Sequence, residues 1–132
     1  MGIFDIFRKK KELSLEKLKW NKMWDLWVSE EVESPYFELM TYYSEVNNGG
    51  HAQYFSNVDN VSNLKNEMAN LNKILSLEFK NNLNKAYKAY LILEKRDDEK
   101  SEEILVECDN FFFENEDEIN LILDDYASKI EI

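Results

Sequence analysis

The chain has 132 residues, 44% of them apolar, enough for the core of one domain, and a single cysteine, which excludes an internal disulfide and points to a reducing, cytoplasmic setting. One proline and three glycines argue for an all-α fold with short connections. The net charge of −11 is unevenly spread, at +4 over residues 1–23, −3 over 24–96 and −12 over 97–132; this disfavours direct nucleic-acid binding by the last third, where phosphates would be repelled, and favours a basic protein as partner.

Residues 1–12 read as an apolar–basic head, with Ile3, Phe4, Ile6 and Phe7 at helical spacing before Arg8-Lys9-Lys10-Lys11. A frayed turn, a docking peptide and a weak membrane-surface element all fit it. It lacks the long apolar core of a signal peptide. No apolar run reaches the roughly 18 residues of a membrane span, so no stable membrane insertion is expected.

Residues 13–132 read as one all-helical domain, a compact bundle of about six or seven helices. The first spans Ser14 to about Val32, with Leu13, Trp20, Met23, Trp24, Trp27 and Val28 as its stripe and Leu15, Leu18 and Leu26 on other sides. Ser34-Pro35 signals the next start, with Ser34 as cap and Pro35 in the first helical position. That helix runs to about Asn47, with Tyr36, Leu39, Met40, Tyr43 and Val46 inward. A short helix over about 50–56 follows. Asn60 and Ser62 are candidate caps for a helix over about 61–75, striped by Leu64, Met68, Leu71 and Leu75. The next covers about 77–93, offering Phe79, Leu83, Ala86, Tyr87, Tyr90 and Leu91 to the core. After the charged loop at 95–100, helices over about 99–113 and 117–129 complete the chain, with Ile104, Leu105, Cys108, Phe111 and Phe112, then Ile119, Leu123, Tyr126 and Ile130, turned inward.

The most unusual segment is Glu45-Val46-Asn47-Asn48-Gly49-Gly50-His51-Ala52-Gln53-Tyr54-Phe55-Ser56-Asn57, which holds two of the three glycines and the only histidine. The paired glycines predict a helix break at Asn48-Gly49, with Gly49 at positive φ. Gln53 and Asn57 are expected to be buried and bonded to backbone at that turn, helped by Glu45, with Tyr54 and Phe55 anchoring it in the core. The other reading makes the motif a ligand or partner site. His51 reads as a surface or hydrogen-bonding residue rather than a catalyst.

Asn-Asn-Gly-Gly-x-x-Gln-Tyr-Phe-x-Asn, from Asn47 to Asn57, resembles the signature of the DNA-mimic protein family, a bacterial all-helical domain with mostly uncharacterised members. Trp20 and Trp24 upstream, Leu71 with Ile74, Cys108 to Phe112 and Tyr126 also fit, so the resemblance covers about residues 20–126. Where members often have a glycine after the leucine–isoleucine pair, this chain continues Leu75-Ser76.

Little points to catalysis. One His and one Cys far apart do not make a zinc site, and neither a calcium loop, a P-loop nor a nucleophile elbow is present. Cys108 reads as a small buried apolar group. Glu45 is the residue best placed in sequence to orient His51, but no serine nucleophile accompanies them. No enzyme activity, metal or cofactor is expected. The alternative is a small enzyme or ligand-binding domain built on residues 45–57.

The acidic third carries the sharper expectation. Asp98, Glu99, Glu102, Glu103, Glu107 and Asp109 fall opposite the apolar stripe of one helix, and Asp117, Glu118, Asp124 and Asp125 opposite that of the next. Acidic groups one helical turn apart lie roughly 5–6 Å apart, comparable to phosphate spacing along one DNA strand. The expected function is an acidic interaction protein that binds and blocks a basic partner, such as a DNA-binding regulator or a cationic nuclease, as a DNA mimic or an immunity protein. The partner face is expected at Asp98, Glu99, Glu102, Glu103, Glu107, Asp117, Glu118, Asp124 and Asp125. A homodimer stays open.

Overall fold

The computed structural model describes the backbone of residues 3–61 and 63–132 and the side chains of 15–60 and 63–132. Six helices follow one another: α1 (Ile3–Val28), α2 (Tyr36–Val61), α3 (Leu64–Ile74), α4 (Leu77–Lys95), α5 (Glu99–Glu114) and α6 (Glu116–Ser128). No strand occurs among the described residues. The all-α class expected from the sparse glycine and proline is what the chain adopts.

The backbone of the basic head is helical and continuous with α1; the side chains of Ile3, Phe4, Ile6, Phe7 and Leu13 lie outside the described residues. α1 stops at Val28 rather than near Val32, because Glu30 turns the chain at φ 59°. Val28 therefore points to solvent at 73% exposure, not into the stripe, which is carried by fully buried Met23 and half-buried Trp20, Trp24 and Trp27. Successive Trp rings meet edge to face, with centroids 6.2 and 5.3 Å apart. Trp27 Nε1 donates to Thr41 Oγ1 at 3.0 Å, tying α1 to α2.

Ser34 does not cap a backbone N–H of α2; its hydroxyl donates to the Glu38 carboxylate at 3.0 Å. Pro35 precedes the helix, and its carbonyl accepts from Leu39 N at 3.0 Å. Downstream, the short helix continues beyond Ser56 to Val61, because Val58 still finds the core. Asn60 is consequently inside a helix, Ser62 lies outside the described residues, and Asn63 is the cap, accepting from Asn66 N. Ser76 caps α4 through Phe79 N at 3.3 Å, so Leu75-Ser76 divides two helices by capping, with no glycine needed.

α2 is the hub. It packs against α3, α4, α5 and α6, while α4 lies along α5 and α1 reaches α6. Leu39, Met40, Tyr42, Val46, Tyr54 and Phe55 of α2 are fully buried, and Phe79, Leu83, Phe112, Ile119 and Leu123 close over them. Tyr36 stacks on Tyr126 with centroids 4.3 Å apart, joining α2 to α6. Leu91, expected inward, is 41% exposed, and the buried position on that turn is Ala89.

Candidate functional site

The break in α2 falls where the glycines are. Gly49 (φ −156°, ψ 18°) and Gly50 (φ 79°, ψ −177°) are non-helical. The left-handed residue is thus Gly50 and not Gly49: the chain leaves helical geometry at Gly49 and takes positive φ at Gly50. Gly50 also sits where α5 approaches, since a Cβ there would lie 2.4 Å from Asp109 Oδ2. Both its φ and this contact require glycine.

Gln53 and Asn57 do not bond the backbone of the turn, nor is Asn57 buried. Both amides donate to one carboxylate oxygen, Glu45 Oε2, at 2.9 and 2.8 Å. The kink brings the second arm of α2 beside the last turn of the first, so a charged acceptor on one arm holds two donors on the other, and charge-assisted bonds of this kind outcompete bonds to neutral carbonyls. Asn47 donates back to Tyr43 O at 2.9 Å, and Asn48 is exposed. Tyr54 and Phe55 anchor the turn as expected, both fully buried.

His51 is fully buried, and its partner is Asp109, not Glu45. Asp109 Oδ1 accepts from the His51 backbone N–H at 2.8 Å and lies 2.6 Å from Nδ1. A carboxylate accepts only, so Nδ1 carries a proton; Nε2, 2.7 Å from the Tyr42 hydroxyl, then accepts from Tyr42 in the neutral ring. Burial, reinforced by Cys108 and Asp109, pushes the Tyr42 phenol well above its ordinary value and keeps it a donor. Asp109 therefore leaves the solvent face assigned to it from the helical wheel. The resulting Tyr42–His51–Asp109 chain pins α5 to the kink.

A second polar group lies inside α2 and α3. Glu38 and Glu67 are 8% and 7% exposed, and Tyr54 is fully buried. Glu38 Oε1, Glu67 Oε2 and the Tyr54 hydroxyl have no hydrogen-bond partner. Burial, and then repulsion from Glu38, raise Glu67 from 4.5 to about 7. The Tyr54 phenol is raised by burial and by Glu67.

The acidic residues divide into groups. Glu99, Glu102, Glu103 and Glu107 converge with Val106 on a shallow groove of about 500 Å³ on α5. Glu107 also meets Lys85 of α4 at 3.3 Å. Asp98 serves as the N-cap of α5, accepting from Ser101 N at 3.0 Å; Ser101 holds it below the usual carboxylate range. On α6, Asp117 is exposed and Glu118 half-buried. Asp125 pairs with Lys129 at 3.1 Å. Asp124 belongs to a different groove, of about 400 Å³, beside Leu15, Lys19 and Trp20 of α1. Of the nine residues expected at the partner face, the four α5 glutamates share one groove.

Residues 29–130 match the DMP19-like protein family. The chain belongs to that family. No curated protein and no solved structure matches the chain. The match agrees with the DNA-mimic resemblance carried by Asn47 to Asn57 and leaves α1 outside its bounds. Among the described residues no group of three or more His, Cys, Asp or Glu side chains is arranged to hold a metal ion, and no helix is long and apolar enough to cross a membrane.

The sequence reading missed Tyr42, the inward role of Asp109, and the Glu38–Glu67 pair. A signal existed for Asp109. It follows Cys108 and lies four positions after Leu105, on the edge of the buried row Ser101, Leu105, Cys108, Phe112.

Proposed function

We propose that this DMP19-like protein binds a basic, DNA-binding protein through the α5 face and blocks its nucleic-acid site, as a DNA mimic or as an immunity protein against a cationic nuclease. The observation that carries this reading is the convergence of Glu99, Glu102, Glu103 and Glu107 on one solvent-facing groove, away from the buried row of the same helix. Glu99, Glu103 and Glu107 follow one another every four residues, roughly 6 Å per step along the axis, which suits cations that otherwise engage successive phosphates. Family membership supports a DNA-binding protein as the partner class. Asp117, Glu118, Asp124 and Asp125 extend the acidic field that steers encounter.

No catalytic role is proposed. Glu45, Gln53 and Asn57, the polar groups of the turn, are engaged with one another, which supports a scaffold role for the motif.

The test is capture of the partner on the immobilised protein at low salt, followed by elution with duplex DNA. A mimic releases its partner to DNA and to added salt. Glu99→Lys, Glu103→Lys and Glu107→Lys together should abolish capture with the helical content unchanged. Binding that survives the triple reversal and high salt would reduce the acidic face to a solubility device.

A further inference from the structure

We propose that the α5 face reads more than charge, and that Val106 and Phe113 form an apolar anchor line within the glutamates, fitting a basic amphipathic helix that carries two apolar residues of its own. This inference rests on the acidic-face reading above and deepens it by naming the partner's surface.

Val106 is 58% and Phe113 46% exposed. Seven residues apart, they lie about 10 Å from each other along the axis and on the same side of the helix. Between them stands Asn110, exposed and uncharged, so the line through all three is free of carboxylates. Glu102, Glu103 and Glu107 stand around Val106 and line the shallow α5 groove with it, and Glu114 follows Phe113. Phe113 is not loose: its ring meets Phe112 edge to face with centroids 5.7 Å apart, which holds one edge in place and leaves the rest presented to solvent. A rigid aromatic with one anchored edge is the type of side chain that concentrates binding energy at interfaces.

Isolated exposed apolar residues are ordinary. These two differ by their setting, a two-turn register among carboxylates, of which, among the described residues, Glu107 alone meets a lysine, Lys85. A surface matched only to phosphate-reading cations has no use for apolar groups on its midline, and neither has one that serves solubility alone. The complement is a helix with apolar residues at i and i+7, or i and i+4, flanked by Lys and Arg, the helix-on-groove mode of recognition. Charge complementarity selects a basic helix over an acidic or neutral one. It also favours a helix over bare nucleic acid, which the glutamates repel.

Two synthetic helical peptides of equal positive charge test this, one with Leu at i and i+7 among lysines, the other with Ala at those positions. Fluorescence anisotropy is read with the full chain at about 50 mM and about 500 mM NaCl, above and below the screening that exposed ion pairs tolerate. The Leu peptide should bind at least about tenfold tighter than the Ala peptide, with the preference persisting at the higher salt. Val106→Ser should remove most of that preference, and Val106→Ser with Phe113→Ser all of it, while weak binding of the Ala peptide is retained. The single variant, at a mostly exposed site, keeps the test valid if the double variant does not fold. Equal binding of the two peptides, or a preference that survives Val106→Ser, overturns the anchor and leaves the charge reading standing. If the Leu peptide keeps its affinity for the Glu99, Glu103 and Glu107 reversal, the charge reading fails and the anchor stands. If neither peptide binds the native protein at low salt, both fail.

Discussion

Replacing Glu67 by Gln should make the protein more stable at alkaline pH and leave it unchanged in acid. Glu67 is 7% exposed, lacks a partner at Oε2 and faces the field of a second buried carboxylate, Glu38. Its carboxyl is raised from 4.5 to about 7, first by burial and then by Glu38. A folded-state value above the unfolded one means that the native state holds this proton more tightly. The stability linked to it is therefore fully present below about pH 4.5 and is lost as pH rises to about 7. Above that range both states are ionised and the native state bears the whole cost of the buried charge, roughly 3 kcal/mol at 1.36 kcal/mol per pH unit. Gln keeps the shape and never ionises. Urea denaturation of both proteins at about pH 4.5, 6, 7 and 8 should give coincident curves in acid. The variant should gain about 2–3 kcal/mol at the top of the range, equivalent to a rise in Tm of order 10 °C. Taking the difference between the two proteins cancels the general repulsion of a chain at net −11. A constant difference across the range would refute the reasoning, and would mean that Glu67 holds its proton no more tightly in the native state than in the unfolded one.

Three further outcomes follow from the same geometry. Gly50→Ala should cost about 1–3 kcal/mol in urea unfolding, since φ is 79° and the new Cβ meets Asp109; Gly49→Ala should cost less, because its φ is not left-handed and the nearest atom is the end of the Gln53 side chain. Asp109→Asn removes the charged acceptor from the His51 backbone N–H and from Nδ1 and should cost about 1–3 kcal/mol, with the His51 ring-proton resonances shifting while Trp fluorescence from α1 stays constant. Cys108 is buried, and burial pushes its thiol up to about 11; it should resist a thiol reagent at neutral pH in the native protein and react at once in denaturant.

Helices α3 to α6 were legible because each carries its own apolar period. Ser76 and the apolar row of α4 define a helix without reference to any neighbour. The turn at 49–50 was legible because paired glycines have few other uses in a helical chain. What escaped the sequence reading depends on which element lies opposite. Val28 continues a perfectly good stripe, but the helix ends there and nothing covers it. Leu91 lost the buried place to Ala89, since α4 lies against α5 and the smaller side chain faces the contact. Asp109 looked like a surface acid because its partner is 58 positions away, and Glu38 and Glu67 break the rule that buried carboxylates come paired with cations. The motif itself was visible, yet the role of Glu45 as a shared acceptor became visible only once the kink set its two donors beside it.

The pin between Asp109 and His51 makes the domain indivisible. A chain that ends after α4 keeps the kink and the Tyr42–His51 bond, but it loses the acceptor of the His51 backbone N–H and Nδ1 and the helix that covers them. The first four helices, without α5, should therefore be less stable than in the whole domain, because α2 and α4 both lose the helix they pack against. A single cut in the charged connection between Arg96 and Asp97, which leaves Asp98 on α5 as its cap, has a different consequence. It removes no buried contact, so the two pieces should remain together, and the acidic helices could then be supplied as a separate strand to complete the remainder.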